Sequence, residues 1–79
     1  MSNRQFMERL NKELDNIGVP THYPERIEVF SKLMKIPKFQ AEAYLTGVYL
    51  PKPEVLQQVA DELEVNADWL IGKSEHRTH

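Results

Sequence analysis

The chain has 79 residues, 41% of them hydrophobic and 28% charged, and carries a net charge of −2. That length allows one small domain, and the mix is too apolar for a disordered chain. Cysteine is absent, which excludes a disulfide scaffold, a Cys-ligated zinc or iron–sulfur site and a thiol nucleophile.

Prolines at 20, 24, 37, 51 and 53 and glycines at 18, 47 and 72 punctuate the chain. Between them the apolar spacing is helical rather than alternating. A first helix is expected over Asn3 to Asn16, opened by a Ser2–Gln5 capping box. Its inward stripe is Phe6, Leu10, Leu14 and Ile17, and Gly18 stops it. After the loop VPTHYP, Pro24 suits the first turn of a second helix, ERIEVFSKLMK. Ile27, Phe30, Leu33 and Met34 are its expected inner side. Pro37 opens a third helix, PKFQAEAYLTG, with Ala41, Tyr44 and Leu45 inward and Gly47 as its stop. The linker VYLPKP leads to a fourth helix, PEVLQQVADELE. Val55, Leu56, Val59, Ala60 and Leu63 form its amphipathic stripe. Asn66 caps a last turn, ADWLIG, ending at Gly72, where Trp69 reads as core or as a dimer contact. These elements predict an all-α domain of five helices over residues 1–73, with residues 74–79 as a flexible tail.

No apolar run approaches the ~20 residues of a membrane span. The opening MSNRQFMERLNKE lacks the apolar stretch of a secretory signal. A cytoplasmic protein is the expectation. Charge is unevenly placed. Residues 26–52 hold five Lys/Arg against two Asp/Glu, a balance of +3, whereas residues 53–79 hold two against six, a balance of −4. One basic segment in an acidic chain marks where an anionic partner docks.

That segment contains IEVFSKLMKIPKFQAEAYLT, two short helices across a sharp turn. Ser31 is small enough for the helices to approach, and Phe30, Met34, Ile36, Ala41 and Tyr44 meet across the crossing. Lys38, Phe39, Gln40, Glu42, Ala43 and Thr46 are left outward on the second of them. A helix of this width fits the major groove of duplex DNA.

FSKLMKIPKFQAEAYLTG, the Gly47-x-x-x-Pro51 linker and LQQVADELEVNADWLIGK together resemble the Cro/lambda-repressor-like helix-turn-helix family, also called the XRE family. In the last segment the matching positions are Leu56, Ala60, Leu63, Val65, Asp68, Trp69, Leu70 and Gly72. RLNKELDNIGVP at residues 9–20 is similar to the opening of phage-repressor-like regulators, in which a self-cleaving C-terminal domain often follows. The chain accordingly reads as a stand-alone regulator or as the N-terminal domain of a longer one.

The resemblance implies a transcriptional repressor that binds a pseudo-palindromic operator in double-stranded DNA as a homodimer. Lys38 would be the first base or phosphate contact. Gln40 would pair with adenine, Glu42 would accept from cytosine, and Phe39 and Ala43 would touch thymine methyls. Lys32, Lys35 and Lys52 would be phosphate contacts. The chain departs from the family pattern in having Lys35 where glycine is usual at the turn, and an apolar linker. Val48, Tyr49 and Leu50, with Phe39, therefore form an alternative surface for a protein partner or a second copy. The alternative function is an interaction module such as an antirepressor or antitoxin-like partner. His22, His76 and His79 lack the scaffold of a metal site. No catalytic constellation or cofactor motif is present in the sequence, so no enzyme is expected.

Overall fold

The computed structural model describes residues 3–78. Five helices follow one another, α1 (Asn3–Asn16), α2 (Tyr23–Met34), α3 (Lys38–Thr46), α4 (Pro53–Leu63) and α5 (Ala67–Leu70), with no strand among the described residues. They pack into a body of 30 × 23 × 20 Å. The Ser2–Gln5 capping box falls on Ser2, outside the described residues.

The helices share one way of ending. After α1, the Val19 N–H reaches back to the Leu14 carbonyl and the Gly18 N–H to that of Asp15. This is the Schellman closure, in which a residue in the left-handed region turns the chain and the next one buries an apolar side chain. Gly18 takes the turn position with φ 86°, and Val19 is buried. The same pairs of bonds close α2 through Lys35 and Ile36, and α4 through Glu64 and Val65. Glycine is natural at such a turn, yet Lys35 and Glu64 hold it with φ of 57° and 58°. At the end of α3, Gly47 has φ 80°, and a Cβ there would press to 3.3 Å from the Met7 sulfur of α1.

This closure corrects one sequence expectation. Ile17 was expected to extend the buried stripe of α1, but it is 55% exposed. It lies between the last helical residue and the turn, and Val19 takes its place in the core. A second correction falls on α2. Its buried stripe is Arg26, Phe30, Ser31 and Met34, so Leu33 sits at the edge and is exposed rather than inward. Phe6, Leu10, Leu14, Ala41, Tyr44, Leu45, Leu56, Val59, Ala60 and Leu63 are buried as their spacing predicts. Leu70 is fully buried, while Trp69 is partly buried and carries the Arg9 guanidinium 4.7 Å from its ring centre.

Polar groups tie the helices at defined points. The buried Arg26 guanidinium donates to the carbonyls of Pro20, Val19 and Asn11, to the Asn11 side chain and to Asp15. It therefore pins α2 to the end of α1 and to the loop between them. The free carbonyl of Leu45 near the end of α3 accepts from Asn11 and from Tyr23, each at 3.0 Å. Gln58 of α4 does the same for Met34 at the end of α2, at 2.6 Å. Asn66 caps α5 by accepting from the Asp68 N–H, as expected.

Residues 74–78, expected as part of a flexible tail, fold back as far as Arg77. The Arg77 carbonyl accepts from the Asn66 N–H at 2.7 Å. Its guanidinium grips both oxygens of the buried Glu13 carboxylate at 2.6 and 2.7 Å. The hydrogen bonds to Glu13, with its negative charge, raise the Arg77 pKa above its ordinary value.

Candidate nucleic-acid interface

Only three residues, Lys35 to Pro37, separate α2 from α3. Lys35 reverses the chain, Ile36 packs against the core, and Pro37 restarts it with φ −63° and ψ 152°. Ser31 is buried on α2, its hydroxyl donating to the Glu28 carbonyl at 2.9 Å. A small side chain that satisfies its own polar group lets α3 settle close to α2. The turn is short and hydrogen-bonded, and it fixes which side of α3 faces out.

Lys38, Phe39, Glu42 and Thr46 are exposed on that side, as the spacing predicts. Phe39 is 72% exposed, more than any other large apolar side chain described. Ala43 is a correction. It was expected to face outward but is buried, and its carbonyl accepts from the Val48 N–H in the turn that closes α3. Gln40 is half-buried, and its amide donates to the Tyr44 hydroxyl at 2.6 Å. Its carbonyl oxygen and one N–H stay available for an outside partner.

The four expected lysines lie in three places. Lys32 and Lys38 gather around Glu28, which the sequence reading passed over. Lys32 Nζ is 3.2 Å from one carboxylate oxygen and Lys38 Nζ is 3.6 Å from the other. Lys38 thus pairs across the turn rather than with Glu42 on its own helix. The hydrogen bond from Lys32, with the positive charge of Lys38, holds the Glu28 carboxyl below its usual 4.5. The spacing of Glu28 and Lys32 was visible in the sequence as an i,i+4 pair. The arrival of Lys38 needed the turn geometry.

Lys52 stands on the other side of α3. With Gln40, Tyr44, Tyr49, Leu50 and Val55 it lines a groove of about 410 Å³ between α3, the linker and the start of α4. Tyr49 meets Tyr44 edge to face at 5.5 Å, and Tyr44 meets Phe6 the same way at 6.4 Å. An aromatic column therefore runs from the core to this groove. Lys35 is exposed at the turn itself. Neither α3 nor α4 has a side chain capping its N-terminus; Pro37 and Lys52 occupy those positions.

The expected partner patch narrows. Val48 is 66% and Tyr49 41% exposed, but Leu50 is partly buried against the core. Among the described residues no three His, Asp or Glu side chains gather as a metal site requires, and no helix is long and apolar enough to cross a membrane. His79 lies outside the described residues, and His22 lies 3.7 Å from Glu25. No protein-family model, no curated protein and no solved structure matches the chain.

Proposed function

We propose that the chain is a sequence-specific, DNA-binding transcriptional repressor of the Cro/lambda-repressor-like kind, acting in the cytoplasm as a dimer. The observation that carries this reading is the three-residue turn between α2 and α3. It presents Lys38, Phe39, Glu42 and Thr46 outward on α3 inside the one basic segment of the chain. In this reading α3 enters the major groove, Gln40 and Glu42 meet base edges, and Phe39 meets thymine methyls. Lys32, Lys35, Lys38 and Lys52 meet phosphates, beside the uncapped N-termini of α3 and α4, whose free N–H groups favour anions.

Four such lysines set the electrostatic scale. Affinity should fall with salt at a log–log slope of roughly −3 to −4 per protomer. Selection of bound duplexes from a randomised pool at low salt tests the reading. Enrichment of a two-fold-symmetric motif is expected, and its half-site spacing reports the dimer geometry. Lys38→Ala should lower the slope by about one unit and weaken binding, with the melting temperature unchanged. A flat pool from folded protein refutes DNA reading.

A second reading is favoured by one observation. Phe39, Val48 and Tyr49 are exposed large hydrophobics on or next to α3, as on an interaction module that binds a protein through a repressor-like fold. A flat pool combined with self-association or partner capture lost on Tyr49→Ser would select it.

A further inference from the structure

Lys32 and Lys38 belong to different helices, yet their ammonium groups converge on a single anion. Lys32 lies one turn beyond Glu28 on α2, and Lys38 opens α3 directly after the turn. Each takes one oxygen of the Glu28 carboxylate, at 3.2 and 3.6 Å. The lysine side chains remain 74% and 66% exposed, so solvent and ligands reach both. Two cations on separate oxygens of one anion is also how a phosphate is held. The positions of the lysines come from the backbone of two packed helices, so the site outlasts its present occupant.

We propose that Lys32 and Lys38 form a two-cation site for a backbone phosphate of duplex DNA, and that Glu28 fills this site as an internal competitor in the free protein. The proposal rests on the reading of α3 as the DNA-facing helix and adds the regulation of that site. An arriving phosphate must displace the carboxylate, which then remains nearby and repels it. Glu28 therefore weakens binding to every duplex alike, because phosphates carry no sequence, and leaves the base contacts of α3 untouched. The hydrogen bond from Lys32 and the charge of Lys38 also lower the Glu28 pKa, which favours the charged form of the competitor. Glu25, one turn earlier on α2, lines the same shallow groove as Glu28 and Lys32 but pairs with His22 rather than with either lysine. It provides a charge-matched comparison.

The test is fluorescence anisotropy of a labelled duplex of mixed sequence, titrated with the full chain over a salt series. Glu28→Gln should bind about two- to tenfold more tightly at low salt, the range set by two exposed ion pairs. The gain should shrink as salt rises. Glu25→Gln should give a clearly smaller gain. In a Lys32→Gln/Lys38→Gln background, the gain from Glu28→Gln should fall to that of Glu25→Gln. Circular dichroism melts confirm that each variant folds. Wild-type affinity in Glu28→Gln, an equal gain in Glu25→Gln, or an undiminished gain without the lysines overturns the competitor and leaves DNA binding standing. Absence of duplex binding by every folded variant overturns both.

Discussion

The φ of Lys35, 57°, lies where an L side chain crowds its own backbone, and Glu64 shares that conformation. Both residues close helices whose next residue, Ile36 or Val65, packs into or against the core, which holds the strained turn in place. Lys35→Gly and Glu64→Gly should each raise stability by about 0.5–1 kcal/mol in urea denaturation. Their effects on DNA should part company, with Lys35→Gly weakening duplex binding and Glu64→Gly not weakening it. Equal behaviour of the two variants toward DNA would remove Lys35 from the phosphate contacts. Arg26 is the residue that periodicity hid. Read as a charge, it belongs on a helix surface. It is 2% exposed because the loop before α2 leaves the carbonyls of Val19 and Pro20 in need of a donor, which no apolar pattern announces.

At the level of the element, the helices were legible because proline, glycine and apolar spacing agree on each one. Errors fell at helix ends and edges, at Ile17, Leu33 and Ala43. There the phase of a helix gives way to the geometry of its closing turn. Val48 stands apart by the same standard. Val19, Ile36 and Val65 follow their turns and pack inward, but Val48, in the equivalent place after Gly47, is 66% exposed. An apolar side chain left exposed in that position fits the partner surface proposed for the linker. Val48→Lys should leave urea stability within about 0.5 kcal/mol of wild type. If the linker carries the proposed self-association, Val48→Lys should abolish it in sedimentation; unchanged association would remove Val48 from that contact.

At the level of the whole molecule, the basic segment stood out in the sequence, but its organisation around Glu28 did not, since that depends on how two helices meet. The fold-back of the C-terminal residues was equally hidden. KSEHRTH has no apolar residue to advertise packing, and Arg77 is held by a charge on α1, 64 positions earlier. Arg77→Ala leaves the buried Glu13 carboxylate without its cation, and should lower the melting temperature in calorimetry. Glu13→Gln in the same background should recover part of the loss, because the uncompensated charge is then gone. Additive losses would mean that the two side chains do not act as a pair.

The anchoring of α1 at both ends decides how the chain can be handled. Asn3 donates to the Val48 carbonyl, so the start of α1 abuts the turn after α3. Arg77 meets Glu13 ten residues along, a rise of about 15 Å on a helix. A fluorophore, affinity tag or fused domain joined ahead of Asn3 is therefore expected to lie near the linker and to crowd the surface proposed for DNA. One joined after residue 78 emerges from the far end of α1 and leaves that surface open.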